Sequence, residues 1–169
     1  MRLSRKKNFA RGEGFAWLKT ADLQLKKEGT DSLDIYYQKA IAIGQKLKDH
    51  FLTGPANNHL GYIQERQGEY ELATQHNLLA ISLFDKVGNA KEAANTLGNQ
   101  AVVFYKLGRK DEALAMFKQS GAKRETLADV KGLAATYGNI VTVYTPINTD
   151  LASKYLALQL ANAENRAVG

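Results

Sequence analysis

The chain has 169 residues, of which 44% are apolar and 24% are charged, and it contains no cysteine. This composition is typical of a folded globular protein, and the lack of cysteine excludes a disulfide framework, a thiolate metal site and a cysteine nucleophile. The sequence has no run of about 18 apolar residues that could span a membrane, and residues 1–11 lack the apolar stretch of a secretory signal. We therefore expect a cytoplasmic protein, or the cytoplasmic part of a longer one.

The formal net charge of +6 is concentrated at the start of the chain. Five basic residues precede the first acidic residue, Glu13, and residues 12–169 together carry only +1. The five are Arg2, Arg5, Lys6, Lys7 and Arg11. A nucleic-acid-binding protein usually has a basic face on its folded body, so this distribution argues against nucleic acid as the partner. We expect residues 1–13 to form a basic, flexible tail and residues 14–169 to form the folded domain.

Helical spacing of apolar residues predicts eight helices and no strands. In chain order they lie near 14–28, 31–48, 55–67, 70–87, 91–107, 110–125, 130–145 and 149–165. The turns inside successive helix pairs are expected at Gly29, Gly68, Gly108 and Asn148, because glycine and, next, asparagine tolerate the left-handed conformation that ends a helix. Pro55 is expected at the first position of the third helix, and Pro146 should end the seventh helix early.

The eight helices form four units that repeat every 40 residues, near 14–53, 54–93, 94–132 and 133–169. Small and aromatic residues recur in columns at this period. The columns are Ala21, Gly61, Ala101 and Val141; Leu33, Ala73 and Ala113; Tyr37, Asn77 and Phe117; and Ala40, Ala80 and Ser120. A fixed period of this length is typical of stacked helical repeats, which bury a continuous core between neighbours.

The third unit carries the clearest resemblance to a known family. Residues 95–120 read NTLGNQAVVFYKLGRKDEALAMFKQS, and this stretch resembles a tetratricopeptide repeat. The marker columns of that family hold Leu97, Ala101, Phe104, Gly108, Ala113, Phe117 and Ser120. The resemblance covers roughly residues 15–165, and the 40-residue spacing is similar to that of kinesin light chains, LGN-type scaffolds and bacterial sensor and regulator proteins. It implies an all-α, right-handed solenoid of about four helix-turn-helix repeats, and a scaffold that binds protein partners.

In this family the first helix of each unit lines a concave groove, and carrying those positions over gives a set of candidate peptide-binding residues. They are Lys19 and Asp22; Asn58, His59, Tyr62 and Glu65; Asn95, Asn99, Val102 and Lys106; and Asn139 and Thr142. An asparagine amide both donates and accepts, so it can pair with the backbone of an extended peptide. The resemblance thus implies a groove in which Asn58, Asn95, Asn99 and Asn139 hold the backbone of a partner segment while Lys19, His59, Tyr62 and Lys106 contact its side chains. The alternative is that these asparagines are solvated or bond to a neighbouring helix.

A second interpretation is self-association or a sensory or regulatory module of a larger signalling protein. The last helix is apolar on more than one face, with Leu151, Tyr155, Leu156, Leu158 and Leu160, and a terminal repeat without a polar outer face tends to find another subunit. The sequence therefore allows a homodimer through this helix as an alternative to the peptide groove.

We expect no enzyme, because the chain lacks a phosphate-binding glycine loop, a nucleophile elbow and any constellation of acid, base and nucleophile. The histidines, His50, His59 and His76, lack the spacing of a helical metal site. We therefore expect no metal and no cofactor.

Overall fold

The computed structural model of the chain describes residues 2–28 and 33–164. These residues form eight α-helices and no strand, which confirms the all-α fold class. The helices are α1 (Arg2–Glu28), α2 (Asp34–Leu47), α3 (His50–Gln67), α4 (Tyr70–Lys86), α5 (Ala90–Lys106), α6 (Lys110–Thr126), α7 (Val130–Tyr144) and α8 (Thr149–Glu164).

The chain divides into two compact units, residues 1–89 and residues 90–169. In the first unit α1 packs on α2, α2 on α3 and α3 on α4; in the second, α5 packs on α6, α6 on α7 and α7 on α8. Within each unit, each helix thus contacts its neighbours in sequence, as expected for stacked helix pairs.

The repeat columns form the core of each unit. In the first unit Ala21, Tyr37 and Ala40 are fully buried, and in the second Ala101 and Ala113 are fully buried. Gly61 belongs to the same column as Ala21 and Ala101, and a Cβ atom there would collide with the Asn77 side chain. A glycine at this position lets α3 approach α4 more closely than any other residue would allow.

Each of the helices α2 to α6 is followed within two residues by a residue with a left-handed backbone conformation, and these residues are spaced 20 apart. They are Lys48, Gly68, Gly88, Gly108 and Ala128, with φ between 52° and 81°. The prediction of left-handed turns is correct for Gly68 and Gly108, while Gly29 lies outside the described residues. It is wrong for Asn148, whose side chain instead accepts a hydrogen bond from the Leu151 N–H at 3.0 Å and so caps the start of α8.

Two helices begin earlier than the sequence pattern predicts. α3 begins at His50 because the Asp49 carboxylate caps it, accepting a hydrogen bond from the Phe51 N–H at 3.0 Å. Pro55 therefore lies inside the helix and not at its first position. α1 begins at Arg2, so most of the segment that we expected to be a flexible tail is helical.

One ion pair joins the first part of α1 to the start of α3. The Arg11 guanidinium donates from Nε to Asp49 Oδ2 at 2.5 Å and lies over the Phe15 ring, 5.2 Å from its centroid. The helical periodicity of the sequence could not have predicted this ion pair, because its two residues are 38 positions apart. α7, by contrast, ends at Tyr144, two residues before Pro146, in agreement with the prediction.

Candidate recognition faces

The expected groove residues lie on the first helix of each repeat, on α1 and α3 in the first unit and on α5 and α7 in the second. Successive residues of a helix are rotated by about 100°, so positions three and four apart share a face. We name the face of α1 and α3 that carries Lys19, Asp22, Asn58, His59 and Tyr62 the first face. The second face is that of α5 and α7 and carries Asn99, Lys106, Asn139 and Thr142.

Asp22 organises the first face. Its Oδ1 atom accepts a hydrogen bond from the Tyr37 hydroxyl at 3.2 Å and lies 3.2 Å from His59 Nε2, and its Oδ2 atom lies 3.6 Å from Lys19 Nζ. One carboxylate therefore joins residues of α1, α2 and α3. The Asp22 side chain is 22% exposed, whereas that of Lys19 is 74% exposed. Lys19 is the most exposed residue of this cluster.

Tyr37 forms the floor of the first face. The residue is fully buried, and the His59 ring stacks on it with the centroids 5.1 Å apart and the planes inclined by 18°. Burial, and then the charge and the hydrogen bond of Asp22, raise the pKa of the Tyr37 hydroxyl. The hydroxyl remains a neutral donor to Asp22 and fixes the carboxylate.

Sequence reasoning assigned Tyr37 only to a packing column and missed this second role. The signal was the hydroxyl itself, since the equivalent positions hold Asn77 and Phe117 and a buried tyrosine hydroxyl needs an acceptor.

Elsewhere on the first face, Asn58 is half-buried and Tyr62 is exposed. The Tyr62 side chain is the largest aromatic group of this face that solvent reaches, with 38% of the residue exposed. An exposed tyrosine offers both a ring for stacking and a hydroxyl for hydrogen bonding.

Asn95 is occupied within the protein. Its Oδ1 atom accepts a hydrogen bond from Arg124 Nη2 at 2.8 Å, and its Nδ2 atom donates to Glu92 Oε2 at 3.3 Å. Both ends of the amide are thus engaged, as the alternative reading of the asparagines allowed.

The polar residues of the second face differ in how far solvent reaches them. Asn99 is half-buried, while Lys106, Asn139 and Thr142 are exposed. The Thr142 hydroxyl donates to the Gly138 carbonyl at 3.1 Å, so its oxygen is left as an acceptor toward solvent. Asn99 and Asn139 occupy the same repeat position, 40 residues apart.

Arg124 is the residue of this region that the sequence did not reveal. Its guanidinium donates to Asn95 on α5, to Ser120 Oγ at 3.2 Å on α6, and from Nη1 to Asp129 Oδ2 at 2.5 Å. Asp129 in turn caps α7 by accepting from the Gly132 N–H at 3.0 Å. The Gly132 N–H, and then Arg124, hold the pKa of Asp129 below its usual value against the opposing effect of burial.

Two broader properties concern the described residues as a whole. Within them, no three histidine, aspartate or glutamate side chains gather where they could hold a metal ion. No helix formed by the described residues is long and apolar enough to cross a membrane.

Comparisons with known proteins agree with this architecture. Residues 52–126 match the family model described as tetratricopeptide repeat. The crystal structure of BtubC (BKLC) from P. vanneervenii is similar in fold, with a TM-score of 0.76 and 19% sequence identity over 98% of this chain and 75% of that chain. No curated protein matches the chain.

Proposed function

We propose that this chain, a tetratricopeptide-type repeat protein, binds protein partners, and that the first face and the second face each contact a partner segment. Repeats of this type generally mediate protein–protein interactions and form scaffolds without catalytic chemistry of their own. We further propose that the protein works in the cytoplasm, since the absence of cysteine suits a reducing compartment.

The observation that carries the proposal is the repetition of asparagine side chains on the second face. Asn99 and Asn139 are neither fully buried nor part of the packing columns, and they recur at one repeat position on α5 and α7. An extended peptide presents alternating N–H and C=O groups, and an amide side chain can pair with either. These two residues would hold the partner's backbone, with Lys106 and Thr142 beside them.

The first face would select side chains of the partner. Lys19 places an exposed positive charge beside the Asp22 carboxylate, whose other oxygen faces His59, and Tyr62 adds an exposed aromatic group. Because Asp22 is fixed by Tyr37, it holds the His59 imidazole in place before a partner arrives. Binding then costs less side-chain entropy than it would on an unorganised surface.

The test compares proteins captured from lysate by the wild-type chain, by Asn99→Ala with Asn139→Ala, and by a control carrying Gln75→Ala with Gln119→Ala. The control removes two exposed amides from α4 and α6, the second helices of their repeats. We expect a partner that the wild-type and control chains retain and the asparagine variant loses, with unchanged helical circular dichroism in all three. Retention of every partner by the asparagine variant would refute this use of the second face.

A second candidate function is self-association through α8. Leu156, Leu158 and Leu160 are 45%, 37% and 56% exposed, which is unusual for three leucines within one and a half turns of a helix. A homodimer would cover Leu156 and Leu160, which are four residues apart and share a face of α8. Sedimentation velocity over a range of concentrations should then show a dimer that Leu156→Lys with Leu160→Glu converts to a monomer, and a wild-type monomer at every concentration would eliminate the idea.

A further inference from the structure

One side of α1 is exposed although the same side is buried in later repeats. Phe9, Ala16, Thr20 and Leu23 lie within about 60° of one another around the helix, and we call them the α1 stripe. Phe9 is 78% exposed and Leu23 is 60% exposed, and Ala16 and Thr20 are also exposed. The Thr20 hydroxyl donates to the Ala16 carbonyl at 2.9 Å, so another surface could cover the stripe without leaving that donor unpaired.

The second repeat of each unit buries the positions equivalent to Ala16, Thr20 and Leu23. The equivalent residues are Ala56, Leu60 and Ile63 of α3, and Thr136, Ile140 and Val143 of α7. Those of α3 are at most 3% exposed and those of α7 at most 4%. In the first unit α3 packs on α2, and in the second α7 packs on α6. The stripe is therefore a surface that a first helix normally buries.

The packing of α7 on α6 shows which part of a second helix receives this stripe. A Cβ atom on Gly121 of α6 would lie 3.8 Å from Thr136 Cγ2 and 3.7 Å from Leu133 Cδ1 of α7. Phe117, one turn earlier on α6, is 2% exposed and belongs to the same apolar cluster as Leu133 and Ile140. Phe117 and Gly121 thus form the receiving surface of α6.

The corresponding surface of α8 is exposed. α6 begins at residue 110 and α8 at residue 149, so equivalent positions are 39 residues apart. The pairs at this spacing are Ala113 with Ala152, Phe117 with Leu156, and Gly121 with Leu160. Ala113 and Ala152 are both buried, as this alignment requires, but Leu156 is 45% exposed and Leu160 is 56% exposed. α8 therefore offers a receiving surface, and α1 offers a stripe of the kind that fits one.

Side-chain sizes favour this match. In the second unit a glycine of α6 faces Thr136. The equivalent positions of the first unit hold Ile41 and Ala56, and Ile41 packs against the apolar cluster that contains Ala56. A large residue on the second helix thus goes with alanine on the first. Leu160 and Ala16 are a pair of the same kind, and close packing depends on such matching of volumes.

We propose that the α1 stripe of a second copy of this chain docks on Leu156 and Leu160 of α8. The contact continues the packing that joins α7 to α6, so the repeats of one copy run on into those of the next. This inference rests on self-association, the second candidate function above, but it places α1 and not another α8 against the leucines. Such a head-to-tail contact leaves one free end on each copy, and larger assemblies can form.

The contact should be weaker than the packing of α7 on α6. Glu13 lies at the edge of the α1 stripe, at the position where α7 has the buried Leu133. Docking a separate copy also costs translational and rotational freedom, which packing within one chain does not. The assembly should therefore grow with protein concentration.

Two variants that each block one end test the proposal. Ala16→Glu with Leu23→Lys blocks the α1 stripe, and Leu156→Lys with Leu160→Glu blocks α8. All four residues are exposed and the net charge is unchanged, so both variants should keep the helical circular dichroism of the wild type. A control, Gln75→Glu with Gln119→Lys, makes the same charge changes at exposed positions of α4 and α6.

Sedimentation velocity should give a mass that rises with concentration for the wild type and the control, and a monomer for each blocked variant alone. An equimolar mixture of the two blocked variants should form a dimer, because one intact α1 stripe then meets one intact α8. If the variant blocked at α1 self-associates like the wild type, α8 pairs with α8, and the head-to-tail contact is wrong while self-association stands. A wild-type monomer at every concentration would refute both ideas, and a mixture that stays monomeric would refute the head-to-tail contact.

Disulfide trapping tests the register of the contact. The chain has no cysteine, so an introduced pair can bond only to each other or to their own copies. Under mild oxidation, Ala16→Cys mixed with Leu160→Cys should form a crosslinked heterodimer faster than Ala16→Cys mixed with Lys154→Cys, an exposed control position on α8, because a disulfide needs Cα atoms within about 7 Å. Equal rates for the two mixtures would contradict the proposed contact.

Discussion

Replacing Arg124 with methionine should test how the second unit is held together. The guanidinium joins three helices, because it bonds to Asn95 on α5, to Ser120 on its own helix α6, and to Asp129 at the start of α7. Methionine retains most of the aliphatic stem and removes all of the donors. The substitution therefore isolates the polar network from the packing around it.

The expected loss of unfolding free energy is about 2 kcal/mol. A hydrogen bond to a charged group contributes about 1.5–3 kcal/mol, and breaking a fully buried ion pair costs about 3–5 kcal/mol. The Arg124 and Asp129 side chains are 12% and 24% exposed, so water can solvate the Asp129 carboxylate in the variant. The loss is smaller for that reason, and also because Asp129 keeps its bond from the Gly132 N–H.

Chemical denaturation monitored by helical circular dichroism measures this loss directly. Lys118→Met is the matched control, since Lys118 is an exposed residue on the same helix. Gly132→Ala gives a second variant, because a Cβ atom there would collide with both the Arg124 guanidinium and the Asp129 carboxylate and displace the pair. A loss in Arg124→Met within about 0.5 kcal/mol of the control, which is the usual range for surface substitutions, would refute the reasoning.

Two further predictions concern the same unit. Asp129 has a lowered pKa in the folded protein, so its contribution to stability is complete above its unfolded pKa of about 3.9 and is lost as the pH falls below that value. The variant Asp129→Asn keeps a capping oxygen, so denaturation curves should show that it loses less stability than the wild type between neutral and acidic pH. An unchanged pH dependence of stability would contradict this. Ala128 and Gly108 both have left-handed backbones, with φ of 52° and 76°. The variant Ala128→Gly should therefore raise the unfolding free energy by about 0.5–1 kcal/mol, and Gly108→Ala should lower it by a similar amount. If the unfolding free energy changed in the same direction in both variants, the backbone conformation at these turns would not explain the changes.

The fold could be predicted from the sequence because its main determinants repeat. Ala21, Gly61 and Ala101 recur every 40 residues at positions where two helices meet, and glycine marks the left-handed turns at Gly68 and Gly108. Such positions depend on local spacing and residue size, which are visible along the chain. The same 20-residue spacing also places Lys48 and Ala128 in left-handed turns, although neither residue type would have indicated it.

Interactions between distant positions were not predictable in this way. Asp49 determines the start of α3 by accepting a hydrogen bond from the Phe51 N–H, and it also pairs with Arg11, 38 residues earlier. Arg124 bonds to Asn95, 29 residues away. From the sequence alone, each of these charged residues would be predicted to be a solvated surface group, and only the packing of the helices brings it to its partner.

The two faces differ in how their polar groups are held, and this difference bears on what each can recognise. On the first face the Asp22 carboxylate is shared by Tyr37 and His59, so its charge is directed inward and Lys19 provides the exposed charge. This arrangement favours an anionic or aromatic side chain of a partner, which the Lys19 ammonium and the Tyr62 ring can contact. On the second face Asn99 and Asn139 are uncharged, and an amide discriminates poorly between side chains but pairs well with a backbone. We therefore expect that substituting a partner's acidic or aromatic residues weakens its binding to the first face. Binding to the second face should tolerate changes in the partner's sequence.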